Sequence, residues 1–112
     1  MINYLYVTAS MRADPPQEEG AQLTLPLSLR AIEDEAFMNS GAQSVVIPDG
    51  CTSIGSYAFA YSQELERVDI PASVTQIDAT AFNGCSKVVI YAPWGSEAIE
   101  FAEQRGIPYV CK

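Results

Sequence analysis

Ile70-Pro71-Ala72-Ser73-Val74-Thr75-Gln76-Ile77, followed by Ala81-Phe82, Cys85 and Val88-Val89-Ile90, decides how this chain folds. It has two upstream counterparts. One is Ile47-Pro48-Asp49-Gly50-Cys51-Thr52-Ser53-Ile54, with Ala58-Phe59, Ser62, Leu65 and Val68-Asp69-Ile70. The other is Leu25-Pro26-Leu27-Ser28-Leu29-Arg30-Ala31-Ile32, with Ala36-Phe37, Ser40 and Val45-Val46-Ile47. Pro26, Pro48 and Pro71 stand 22 and 23 residues apart, and the same spacing separates Ile32, Ile54 and Ile77, and Phe37, Phe59 and Phe82. A short period kept at so many positions marks a stack of like units, each too small to bury its apolar face alone.

Each position has a physical role. In Arg67-Val68-Asp69-Ile70 apolar residues alternate with polar ones, which makes a short strand with one buried face. The proline that follows has no N–H for a ladder and ends the strand. Asp49-Gly50 and Ala72-Ser73 then turn the chain. Leu29, Cys51 and Val74, with Ile32, Ile54 and Ile77, point back into the core. Ala36, Ala58 and Ala81 are small where backbones pack closely. The Phe beside each fills the coil interior, so the rings should form a ladder, with one helical or 3-10 turn around each Ala-Phe pair. Cys51 replaces Leu29 and Val74, so it reads as a core residue. Cys85 replaces Ser40 and Ser62 at a corner where a small polar atom can hydrogen-bond backbone.

The pattern I-P-x-x-[VC]-T-x-I-x-x-x-A-F, followed by x-G-C or x-x-S, resembles the BspA-like (Treponema-type) leucine-rich-repeat family from about Leu23 to Val110. The resemblance implies a right-handed α/β solenoid of short parallel strands and short 3-10 or helical turns, ending in a capping helix. It also implies a bacterial surface or secreted protein, since members are commonly such proteins and some are implicated in adhesion. The expected organisation is an N-terminal capping strand and acidic linker over 1–22, three repeats over 23–91, and a C-terminal cap over 92–112.

A solenoid needs caps at both ends. Asn3 to Thr8 has a strand pattern, and Asp14 to Gly20 reads as a turn-rich acidic loop. After Pro93-Trp94-Gly95, Ser96 is a good N-cap, and Glu97 and Glu100 suit the first turn's dipole. Ala98, Ile99, Phe101 and Ala102 form a helical apolar stripe, Gly106 is a natural helix terminator, and Ile107 to Val110 reads as a last edge strand. Trp94 and Phe101 are expected to pack into this cap, with ligand binding the lesser alternative for Trp94. The first ten residues carry no basic n-region, so they do not form a signal peptide. That fits either a cytoplasmic protein or a segment of a longer secreted chain, and the unmatched N-terminal stretch favours the segment.

The chain has 14 acidic and 6 basic residues and no histidine, a formal charge of −8. Scattered cations argue against nucleic acid and anionic membrane surfaces as partners. No apolar run reaches the ~20 residues of a membrane span. Three cysteines without a CxxC pair indicate neither a disulfide framework nor a zinc site. Without histidine the usual triads are unavailable, and no phosphate loop or nucleophile elbow occurs. Glu33-Asp34-Glu35 and Glu64/Glu66 are the acidic clusters; both fall in turn segments, and neither has calcium-loop spacing. No catalytic residue, metal site or cofactor is therefore expected, and a carboxylate-dependent hydrolase is the weakest reading.

Surfaces remain. Successive strands should stack into one parallel sheet whose concave outer face binds a protein or a glycan. The strand registers place Gln22, Thr24, Ser44, Val46, Arg67, Asp69, Val89 and Tyr91 on that face, and Thr24, Ser44, Val46, Arg67, Asp69, Val89 and Tyr91 are the candidate binding residues. Five strands at ~4.8 Å and four residues at ~3.3 Å give about 300 Å². A standard interface takes roughly 800 Å² from each partner. Either binding is weak, or other faces, further repeats or several copies contribute. The alternative is a spacer that terminates a longer array and has no ligand of its own.

Overall fold

A computed structural model describes residues 22–112. The expected N-terminal strand and acidic linker lie outside the described residues. The chain winds through β1 (Gln22–Thr24), β2 (Ala31–Ile32), β3 (Ser44–Val46), β4 (Ser53–Ile54), β5 (Arg67–Asp69), β6 (Gln76–Ile77), β7 (Val89–Ala92), α1 (Glu97–Arg105) and β8 (Tyr109–Cys111). Two parallel sheets result. One has the order β1-β3-β5-β7-β8, the other β2-β4-β6. The register places Leu23, Val45, Val68 and Ile90 opposite one another, so one apolar column runs through the larger sheet, buried from Val45 to Ile90 and half-buried at Leu23. The small sheet was not foreseen. It pairs Ile32 with Ile54 and Ile54 with Ile77. Ile32 and Ile54 are buried, whereas Ile77, expected in the core, is half-buried and packs on its edge.

The Ala-Phe segments stack by a hydrogen-bond scheme repeated in every coil. The amides of Ala36, Ala58 and Ala81 donate to the carbonyls of Glu33, Gly55 and Asp78. Those of Ser40, Ser62 and Cys85 donate to Phe37, Phe59 and Phe82. Between them, the Phe37 amide reaches Ala58 O at 2.7 Å and that of Phe59 reaches Ala81 O at 2.8 Å, in the next coil. The expected three-residue hydrogen-bonded turns are present. They do not continue as a 3-10 helix because Glu35, Asn39, Tyr57, Tyr61 and Gly84 have positive φ and reverse the chain's local sense.

Inside the coils, Phe37, Phe59 and Phe82 stack with ring centroids 5.5 and 5.3 Å apart, and Phe101 of α1 closes the ladder at 6.1 Å with a tilted ring. The corner residues bond as expected. Ser62 Oγ accepts from the Ser40 amide at 3.1 Å, and Cys85 Sγ donates to Phe59 O at 3.0 Å. Burial pushes the Cys51 and Cys85 thiols up, away from the reactive thiolate. Gly55 is required by contact: a Cβ there would run into the backbone of Glu33 and Asp34 in the coil above.

The cap forms with two differences. Ala98, Ile99, Phe101 and Ala102 are buried, and Gly106 (φ 73°) ends α1 with its amide on Ala102 and Glu103 carbonyls. Ser96 sits at the N-cap in an extended conformation, but its side chain makes no capping bond, and its Oγ is buried without a hydrogen-bond partner. Trp94 does not pack into the cap: it is 82% exposed, because the Pro93–Ser96 turn directs it outward.

Phe59 is fully buried between two rings. Phe59→Ala should therefore cost about 3–5 kcal/mol in urea unfolding. A loss below about 1 kcal/mol would show that the ladder does not hold the coils together.

Candidate functional site

The outer face of the five-stranded sheet is built from residues that alternate with the buried column. Register aligns Ser44, Arg67 and Val89 in one row. It aligns Thr24, Val46, Asp69, Tyr91 and Val110 in the other. All the candidate residues from β3, β5 and β7 thus share one face, and Thr24 joins it through its backbone pairing.

A polar cluster occupies the centre. Arg67 grips Asp69 with two bonds, Nε to Oδ2 at 3.0 Å and Nη2 to Oδ1 at 3.2 Å. Lys112 Nζ reaches Asp69 Oδ1 at 3.0 Å from the far end of the sequence. The Arg67 guanidinium carbon also lies 3.9 Å from the centroid of the Tyr91 ring. This cation–π contact and the bidentate grip fix both long side chains before any partner arrives. Asp69 is only 8% exposed and holds Arg67 and Lys112 in place. Burial pushes its carboxyl up, but the hydrogen bonds from Arg67 and Lys112 outweigh that and hold it below the ordinary carboxylate range. Apolar side chains flank the cluster: Val46 is 44% exposed on one side and Val110 42% on the other. Val110 and Lys112 were missed from sequence because they join the face only through the parallel pairing of β7 with β8.

The acidic clusters have structural engagements. Asp34 Oδ1 accepts the Ser56 amide at 2.9 Å, Glu66 accepts from Gln43 at 3.0 Å, and Glu64 pairs with Lys87 at 3.6 Å. Among the described residues no group of three or more His, Cys, Asp or Glu could hold a metal ion, and no helix is long and apolar enough to cross a membrane.

A family model described as a BspA type leucine rich repeat region, in six copies, matches residues 19–99. The chain belongs to the BspA-type leucine-rich-repeat family. Its parallel strands, stacked Ala-Phe turns and, among the described residues, one short helix are those of a leucine-rich-repeat solenoid. The BspA-type chain is also similar to a crystal structure of a leucine rich cell surface protein from Faecalibacterium prausnitzii A2-165, at 25% identity and a TM-score of 0.47. The match covers 73% of this chain and 34% of that one, so the chain spans about a third of that protein's length. Comparison with curated proteins gave no match.

The Asp69 cluster has a pH signature. Unfolded, the carboxyl takes its proton near pH 3.9; folded, it does so at lower pH. Between those values the unfolded chain binds more protons, so stability rises with pH. The contribution is complete above the ordinary carboxylate range and is lost as pH falls through it. Asp69→Asn should flatten the melting midpoint against pH below about pH 4.5. Asp78, held down by the Thr80 hydroxyl and amide, supplies part of the remaining slope. At pH 7 the same change should cost less than about 1 kcal/mol, because both cations are half exposed. An unchanged acid profile would contradict the cluster.

Proposed function

We propose that this BspA-type chain is a non-catalytic interaction module of a bacterial cell-surface or secreted protein, and that it binds a protein partner through the outer face of its five-stranded sheet. The observation that carries the reading is the Arg67–Tyr91 pair, held rigid over Asp69 and flanked by exposed Val46 and Val110. Arginine and tyrosine are the residue types that anchor interfaces, and an anchor already fixed in place loses little side-chain entropy on binding. Family membership supports the surface location, since the members this chain resembles are commonly surface or secreted proteins. The face offers on the order of 300 Å², so one copy binds weakly, and tight attachment requires several copies or further repeats. Asp34, Glu64 and Glu66 of the acidic clusters are engaged by the Ser56 amide, Lys87 and Gln43, which favours a structural role for those carboxylates.

The test is surface plasmon resonance against a panel of host extracellular glycoproteins, native and deglycosylated. Arg67→Ala with Tyr91→Ala should weaken a bound protein at least tenfold, with the melting midpoint within a few degrees of the parent. Unchanged affinity would remove the sheet face from the account. Loss of binding on deglycosylation would transfer the recognition to glycan. Turnover of a glycan or ester that vanishes in Glu33→Gln and Glu35→Gln would establish a hydrolase instead.

A further inference from the structure

The turn face carries an aromatic pair outside the buried core. Tyr57 and Tyr61 lie in the turns of the second coil, with ring centroids 6.4 Å apart and planes 20° from parallel. Both are left-handed, at φ 55° and 61°. Position 61 is the corner that the neighbouring coils fill with Asn39 (φ 64°) and Gly84 (φ 78°). Asn and Gly adopt that conformation readily; a bulky aromatic residue there is an outlier. Nothing inside the coil demands a ring. Phe59 already fills the interior, and Ala60, between the tyrosines, is fully buried. Neither tyrosine belongs to the buried core, and Tyr61 is 45% exposed.

The third coil is shaped around this ring. A Cβ on Gly84 would fall 2.6 Å from Tyr61 Cδ1, so the ring lies against bare backbone that any other residue would obstruct. The Tyr57 amide is met by Thr80 Oγ1 at 3.1 Å, which secures the other half of the pair. Strain kept at a position where two sister coils avoid it, with the ring left at the surface, points to function.

We propose that the Tyr57–Tyr61 pair is a binding subsite for a neutral saccharide, separate from the five-stranded sheet. The two rings stack on each other and Tyr61 lies against Gly84, so the solvent-exposed part of the pair, chiefly Tyr61 at 45% exposure, is the aromatic surface offered to the weakly positive C–H face of a pyranose ring. Asn39 and Asn83 flank position 61 in the coils on either side, through the Asn39 amide on Ala60 O and the Tyr61 amide on Asn83 O. Both are exposed, and a carboxamide supplies donor and acceptor together, as vicinal hydroxyls require. An acidic sugar is disfavoured by a chain of charge −8.

The probe is an array of neutral oligosaccharides, with affinities measured by calorimetry on the full chain. The expected result is binding of at least one neutral glycan, weakened at least tenfold by Tyr61→Asn and retained by Tyr61→Phe. Because Asn is the residue the first coil uses, Tyr61→Asn should not lower the melting midpoint. Arg67→Ala with Tyr91→Ala should leave this binding intact, so failure here is distinct from failure of the sheet face. No binding across the array, affinity unchanged by Tyr61→Asn, or a lowered midpoint in that variant would each overturn the proposal. So would preference for a basic peptide over every neutral glycan.

Discussion

Phe59 lies flat between Phe37 and Phe82, and the rest of the structure depends on that stack. A coil of 22 or 23 residues has one apolar face and no second layer of its own to bury it against. Contact with the next coil is its only route to a core. Parallel hydrogen bonds fix the coil spacing near 4.8 Å, and rings 5.3–5.5 Å apart fit that spacing with a modest offset. Ala36, Ala58 and Ala81 keep the turns close enough for the inter-coil amide bonds. Phe101 ends the stack by turning its ring, which is how a helix can close a column of coils.

Because the interior is fully committed, function is left to what points out. The five-stranded face and the turn face lie on different segments of each coil and draw on different residues. On the first, Asp69 is the interior-like member, and it holds Arg67 and Lys112 in place. On the second, Gly84 is the permissive member, and it gives Tyr61 room. Each face thus has a residue that positions and a residue that can meet a partner, and either can change without touching the ladder.

The repeated positions were legible in the sequence because burial imposed the same residue at the same place in successive coils. Phe37, Phe59 and Phe82, the alanines before them, and the Ser40–Ser62–Cys85 corner all sit where the period put them. The sheet face was legible too, since a two-residue alternation fixes which side chains face out. Two-residue strands such as Ser53–Ile54 are too short to show alternation, so the second sheet was not. Lys112 meets Asp69 across 43 residues of sequence, a distance at which no local pattern speaks. Trp94 was expected in the cap, because an aromatic beside a helix start can turn inward or outward with no local signal to choose. Left-handed φ at Tyr57 and Tyr61 could not be foreseen from residue type, which argues against it.

Amide hydrogen exchange on the intact chain tests most directly whether one stack holds both faces. The amides of Phe59 and Tyr61 bridge the second and third coils in the turns, and that of Ile70 bridges the third coil to Tyr91 in the sheet region. A single ladder predicts that these exchange together, by global unfolding, with the same dependence on denaturant. Exchange of the turn amides orders of magnitude ahead of the sheet amides would show that the turns open independently, and would contradict the claim that the Phe stack unites the molecule.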